Sequence, residues 1–214
     1  LSKLRSIRMV PRFFVPRKTR GFYIFGYKGG TMEFIKKEVK IFLLSGKARS
    51  GKETVSNMIK DYYSNKKVID ISFAGYLKEY AKKISGWDGS EETKPRELLQ
   101  QLGIELIKEK IDDELFIRRV LEDIEVYSYF FDVIIITDAR LVDEVESVKN
   151  KYKDAVTIRI VRDNYESNLT SDQKNHVTET GLDGYNNFDY IVSNNELDKL
   201  KVDIDKILKE VDYE

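Results

Sequence analysis

An apolar run, Ile41-Phe42-Leu43-Leu44-Ser45, breaks at Gly46. Four residues later comes Gly51-Lys52, at the head of a stretch with helical character. No other feature constrains the fold of this chain as much, because it sets a buried strand, a tight loop and a helix end to end, the order of a phosphate-binding loop. Such a loop wraps a phosphate chain in successive backbone N–H groups. Glycines at Gly46 and Gly51 allow φ values closed to other residues and let the backbone approach the anion. The helix beginning near Gly51 aims its dipole and free N–H groups at the same phosphates. Lys52 adds a mobile cation that can follow charge on the β- and γ-phosphates. The phosphate-binding residues expected here are Gly46, Lys47, Ala48, Arg49, Ser50, Gly51, Lys52, Glu53 and Thr54. The competing reading, a chance glycine-rich turn before a surface helix, needs all three segments to fall into register by accident.

One position departs from the usual pattern. The residue after the lysine is Glu53, where a serine or threonine commonly holds magnesium, and Thr54 comes one place later. On a helix that is a rotation of about 100 degrees, so Thr54 does not substitute directly for the missing hydroxyl. Either Glu53 meets the metal, directly or through water, or magnesium is held mainly from elsewhere.

Composition excludes several classes. The 214 residues contain no cysteine, so neither disulfides nor a thiolate zinc site can form. No apolar run approaches a membrane span, and a soluble cytoplasmic enzyme of one domain is expected. Lys and Arg total 37, as do Asp and Glu, but residues 1–32 carry Lys3, Arg5, Arg8, Arg12, Arg17, Lys18, Arg20 and Lys28 with no acid. Removing those eight leaves 29 basic residues against 37 acids, so the rest is acidic and nucleic acid is not an expected partner. The basic segment 1–31 is expected to be a disordered leader or sequence upstream of the natural start. It holds Pro11 and Pro16 and shows no sustained period. A presequence or a nucleic-acid arm are other readings. Lys28-Gly29-Gly30-Thr31-Met32 can be encoded AAA-GGA-GGT-ACN-ATG, a ribosome-binding sequence before a start codon, which favours Met32 as the first residue.

From 32 to 214 strand and helix patterns alternate. Strands are expected over 39–45, 67–73, 133–137, 155–161 and 190–192, and helices over 51–64, 74–85, 112–126 and 142–151. Pro95 is placed to open a further helix with Leu98, Leu102 and Leu106 on one stripe. A last helix sets Leu197, Leu200, Ile204, Ile207, Leu208 and Val211 on one face. Five strands interleaved with helices imply an α/β fold with a parallel sheet and right-handed crossovers. Function in such sheets gathers at the carboxyl ends of the strands. Asp138 and Arg140 follow the strand at 133–137: the acid can hold magnesium, and the planar fork of the arginine suits the phosphate that receives the transferred group. Against this, Asp138 can cap the next helix and Arg140 can pair with Asp143 or Glu144. Arg162, after 155–161, invites the same reasoning, with a surface ion pair as the alternative.

Beyond these local arguments, five segments together resemble the deoxynucleoside monophosphate kinases of phages and bacteria. Leu44-Ser45-Gly46-Lys47-Ala48-Arg49-Ser50-Gly51-Lys52-Glu53-Thr54 is similar to their loop, which commonly reads Ser-Gly-Lys-Asp-Thr, so Glu53 stands for the family's acid. Phe73-Ala74-Gly75-Tyr76-Leu77-Lys78 resembles the opening of their monophosphate-binding region, and Arg96-Glu97-Leu98-Leu99-Gln100-Gln101-Leu102-Gly103 the helix that follows. Asp138-Ala139-Arg140-Leu141-Val142-Asp143-Glu144 looks like an Asp-x-Arg-Phe-x-Asn-Glu segment, and His176-Val177-Thr178-Glu179 like a His-x-Ser-Glu element near a lid. Ile104, where threonine is expected, and Leu141-Val142, in place of Phe-Pro, bear on substrate identity more than on reaction type.

The resemblance implies a three-layer kinase fold around a phosphate loop, with a helical acceptor-binding insertion over 84–125 and a small lid over 163–184. It implies transfer from ATP, with Mg²⁺, to the 5′-phosphate of a nucleoside or deoxynucleoside monophosphate. Lys52, Arg140 and Arg162 are then the catalytic cations, Glu53 and Asp138 the metal ligands, and Lys78, Arg96, Gln100, Arg140 and His176 the substrate-binding residues. Trp87 is open to two readings, a stacking platform or a core residue. His176, the only histidine, is either a lid residue or an exposed loop residue, and no serine sits in a nucleophile elbow, which argues against a Ser-His-Asp hydrolase. Two alternatives remain: a kinase of another phosphorylated metabolite such as dephospho-coenzyme A, and a nucleotide-binding regulator or hydrolytic switch. Pairing of the chain with a second copy stays open.

Overall fold

Neighbouring side chains of a strand point to opposite faces, so a strand apolar at every position must be covered on both sides. The computed structural model, which describes residues 26–28, 31–163 and 169–213, meets this condition. Ile41 and Leu43 enter one buried cluster, Phe42 and Leu44 another. Two short strands, β1 (Gly26–Lys28) and β2 (Thr31–Glu33), pair antiparallel, and the chain divides into two units, Leu1–Phe34 and Ile35–Glu214. The expected leader, 1–31, otherwise lies outside the described residues.

The second unit begins with β3 (Lys40–Ser45), α1 (Lys52–Tyr62), β4 (Val68–Ile71) and α2 (Ala74–Ser85). Next come α3 (Arg96–Gln100), a π-helix (Gln101–Ile111), α4 (Leu115–Tyr127), β5 (Val133–Ala139) and α5 (Val142–Lys151). It closes with β6 (Val156–Val161), α6 (Ser171–Asn175), α7 (Val177–Thr180), β7 (Tyr190–Ser193) and α8 (Leu197–Tyr213). Five strands form one parallel sheet in the order β4-β5-β3-β6-β7. On one face, Ile41, Leu43, Ile134 and Ile136 pack against Ile117, Val120 and Ile124 of α4 and Val145 and Val148 of α5. On the other, Phe42, Leu44, Ile135 and Ile158 meet Val55 and Ile59 of α1 and Leu200, Ile204 and Leu208 of α8. The result is the expected three-layer α/β architecture. No helix among the described residues is long and apolar enough to cross a membrane.

Three local expectations are corrected. First, β5 does not stop at residue 137. Its register against β3 shifts between Leu43 and Ser45, so that Ser45 pairs with Ala139 and Asp138 lies inside the strand. Second, the helix that Pro95 precedes leaves α geometry at residue 101. Its hydrogen bonds then span five residues, as from Asp112 N to Ile107 O at 2.8 Å. The repeat is longer than 3.6 residues, and the stripe drifts: Leu102 and Ile107 are buried, while Leu106 is 43% exposed. Third, Leu197 is the first residue of α8 and is 51% exposed.

This strand order places the loop after β3 between the carboxyl ends of β5 and β6. The region expected as a lid, 163–184, contains α6 and α7, with 164–168 outside the described residues. The expected insertion, 84–125, contains α3, the π-helix and most of α4.

Candidate active site

Gly46 and Gly51 adopt φ of 153° and 103°, which other residues rarely reach. Space forbids a side chain as well. A Cβ on Gly46 would stand 2.6 Å from Ile160 O, and one on Gly51 would stand 2.1 Å from Asn194 Nδ2. Between them the loop closes a turn from Ser50 N to Lys47 O at 3.1 Å, and Arg49 sits at a left-handed φ of 58°. Asn194, just past β7, braces the loop by donating to Ser50 O at 2.8 Å. Val55 N bonds Gly51 O, so α1 starts at the loop, with its first amides pointing into the cradle.

Lys52 folds over the loop and donates to Gly46 O at 2.6 Å and Lys47 O at 2.8 Å. Burial, reinforced by the Arg140 guanidinium, pulls its ammonium down to about 7, against the opposite pull of Glu179 and Asp138; Arg159 adds to the repulsion. The second arginine near Lys52 is thus Arg159, from inside β6, where its Nη1 donates to Ser45 Oγ at 3.0 Å. Arg162 lies exposed beyond the end of that strand.

Opposite the loop stands a wall of charged side chains. Asp138 caps a helix, but not the next one in sequence. Its oxygens accept Phe73 N at 2.8 Å and Ala74 N at 3.1 Å, at the start of α2. Glu144 caps α5 instead, taking Arg140 N at 2.7 Å and Leu141 N at 3.1 Å. Burial pushes the Glu144 carboxyl up to about 8, partly offset by those amides, with the Asp138 charge adding to the rise. Asp143 pairs with Lys108, leaving the side chain of Arg140 to other partners. Arg140 reaches α7, with its Nη1 2.6 Å from Glu179 Oε1 and 3.2 Å from Thr178 O. One turn on, Asp183 accepts Lys47 Nζ at 2.8 Å and Arg159 Nη2 at 3.2 Å. His176 caps α7, its Nδ1 accepting Thr178 N at 3.3 Å.

The remaining expected residues have other surroundings. Lys94, Arg96, Glu97, Gln101, Thr170 and Gln173 line a cleft of about 630 Å³. Arg96 is therefore in the cleft, held by Glu91, and Gln101 lines it, not Gln100. Lys78 is half-buried on α2. Trp87 donates its indole N–H to Ser90 O at 2.9 Å within its own loop. Glu53 is exposed on the first turn of α1. Sequence reasoning undervalued three residues. Glu179 was visible only as the last residue of a motif, Arg159 only beside Arg162 as a charge at the base of the expected lid, and Asp183 by nothing local.

The donors fit magnesium by chemistry. Asp138 and Glu53 offer carboxylate oxygens, and each oxygen of Asp138 accepts one amide, which leaves a lone pair over. Among the described residues no three His, Cys, Asp or Glu side chains converge on a metal position. Mg²⁺ bound largely through phosphate oxygens and water needs no more than one or two carboxylates.

A family model for deoxynucleotide monophosphate kinases matches residues 69–204 of the chain. A search of curated proteins returns no match. Among solved structures, a sugar kinase from Janibacter sp. superposes with a TM-score of 0.50 at 10% identity, over 82% of this chain and 95% of that one. An APS kinase from Mycobacterium tuberculosis gives 0.46 at 9% identity, over 81% and 99%. A shikimate kinase from Bacteroides thetaiotaomicron gives 0.44 at 14%, over 81% and 98%. The likeness to the sugar kinase concerns the fold.

Proposed function

The chain belongs to the deoxynucleotide monophosphate kinase family and is a phosphotransferase, and on that premise we propose that it transfers the γ-phosphoryl group of ATP to the 5′-phosphate of a deoxynucleoside or nucleoside monophosphate. One observation supports this most: Lys52, Arg140 and Arg159 gather at the phosphate loop closely enough for both arginines to disfavour the lysine's charge. Cations held together against repulsion suit a dense anion, and phosphoryl transfer asks a protein mainly for positioning and positive charge.

In this reading the loop amides and the N-terminus of α1 cradle the donor's phosphates, and Lys52 leaves the carbonyls of Gly46 and Lys47 to follow the charge of the transferred group. Arg140 holds the acceptor phosphate. An oxygen of that phosphate bonds the γ-phosphorus while the bond to the β–γ bridging oxygen breaks, and ADP departs with that oxygen. Family membership implies ATP and typically Mg²⁺, which would lie on Asp138 and Glu53 and neutralise phosphate charge. Residues 84–125 form the acceptor lobe, with Arg96 and Gln101 toward the nucleoside, and 163–184 the lid, with Thr170 and Gln173 on its cleft side. A cytoplasmic setting, where monophosphates and ATP coexist, belongs to the same proposal.

Coupled ADP release with a panel of deoxynucleoside and nucleoside monophosphates tests the reading. ADP should appear only when an accepted monophosphate is present. Hydrolysis at the same rate without acceptor would make the chain a nucleotide switch, and response only to a non-nucleoside phosphate would move the acceptor to another class.

A further inference from the structure

The carboxylate of Glu179 works on two sides of the site at once. Oε2 accepts the amide of Ala48, in the phosphate loop, at 2.9 Å. Oε1 accepts Nη1 of Arg140, at the end of β5, at 2.6 Å. The side chain is only 11% exposed, so this contact is poorly screened and differs in kind from a surface ion pair. Its backbone is pinned too. Glu179 N donates to His176 O at 2.8 Å, His176 caps the same short helix, and Thr178 O takes a second bond from Arg140. A Cβ on Gly181 would lie 3.1 Å from Arg140 O, so the turn after α7 rests directly on the backbone of the arginine it holds.

From this geometry we infer that Glu179 is the positioning residue that sets the acceptor phosphate against the donor loop. The inference rests on the phosphoryl-transfer reading above. A carboxylate has two acceptor oxygens at a fixed spacing, so one rigid group registers the loop amide with the guanidinium. In-line transfer is sensitive to that register, since a misplacement of about 1 Å can cost about 100-fold in rate. Glutamine keeps the length but must turn its NH₂ toward one of the two donors, so it cannot accept from both. Aspartate keeps the charge but is one methylene short of spanning them.

The test is a cycle of Glu179→Gln, Arg140→Lys and the double variant, with Glu179→Asp beside it, each checked for an unchanged melting temperature. Glu179→Gln should lower kcat about 10- to 100-fold with the KM for ATP within about twofold of wild type. Glu179→Asp should lose a similar factor although it keeps the charge. In the Arg140→Lys background Glu179→Gln should add little, because it acts through the arginine. Unchanged kcat in both Glu179 variants, or full additivity in the cycle, overturns the assignment. So does tighter ATP binding in Glu179→Gln, which would show the carboxylate competing with phosphate for the loop. A wild-type protein that phosphorylates no monophosphate would sink the proposed activity instead. Calorimetry on the same variants then still decides: a positioning role weakens monophosphate binding and spares ATP, and any other pattern removes it.

Discussion

The phosphate loop and the wall opposite it are stabilised in different ways. The loop is nine contiguous residues whose shape comes from backbone: two glycines at positive φ, a turn, and a helix start, braced from outside by Asn194. The wall is side chains from β5, α7, the turn after α7 and β6, joined by ion pairs between Arg140 and Glu179 and between Arg159 and Asp183. Backbone amides keep their partial charge at any pH and under most substitutions, so the loop should tolerate change outside its glycines and lysine. Arg140 and Arg159 are each partnered by a carboxylate, while Asp138 and Glu144 rest on backbone amides, so removing one of the paired charges leaves its partner to rearrange. The loop is thus rigid by local geometry, and the wall is tunable.

The largest effect that would sharpen this contrast comes from Lys52→Ala. It removes the cation that rests on the loop's own carbonyls, and turnover should fall by about 100- to 1000-fold or more with the melting temperature little changed. A folded variant with normal turnover would take the loop out of the chemistry.

Arg140→Lys comes next. It keeps a charge but loses the planar fork, so kcat/KM for the monophosphate should fall by about 1–3 kcal/mol of transition-state stabilisation, with little change in ATP affinity. Equal losses for both substrates would put Arg140 on the donor side and dissolve the division into loop and wall.

Asp138→Asn is smaller and mixed. Asparagine has one acceptor oxygen for the two amides of Phe73 and Ala74, so stability should drop by about 0.5–2 kcal/mol. The Mg²⁺ concentration needed for half-maximal rate should rise as well. Loss of stability with an unchanged Mg²⁺ requirement would leave Asp138 as a cap alone.

The smallest signal is a proton. With Lys52 at about 7 in the free protein, bound phosphate charge should restore its proton. ATP binding should take up about half a proton at about pH 7 and nearly one between about pH 8 and 9, and should weaken as pH rises. The sign for folding is opposite. The unfolded lysine, at its ordinary value of 10.5, holds more protons than the folded one, so the ligand-free protein gains stability as pH rises from about 7 toward 10.5. Calorimetry at pH 8 in buffers of different ionisation enthalpy reads the uptake, and proton-neutral binding would contradict it.

Much of this molecule was legible in the order of its residues. A phosphate loop, a fully apolar strand and period-3.6 stripes are local patterns, and together they determined the parallel α/β sheet, the loop and the helix that carries it. Family resemblance, likewise carried by contiguous segments, pointed to phosphoryl transfer. Tertiary structure decided what depends on pairing across the chain. The register shift between β3 and β5 drew Asp138 into the strand and turned it toward α2. The same packing left Glu144 to cap α5 and directed Arg140 to Glu179, not to its sequence neighbours. A π-helix, invisible to a period of 3.6, moved Leu106 out of the core. The partners of Ala48 and Arg140 lie 131 and 39 residues away. Hydrogen bonds and ion pairs over such separations have no signature in local spacing, because they form only once the sheet has brought the strand ends together.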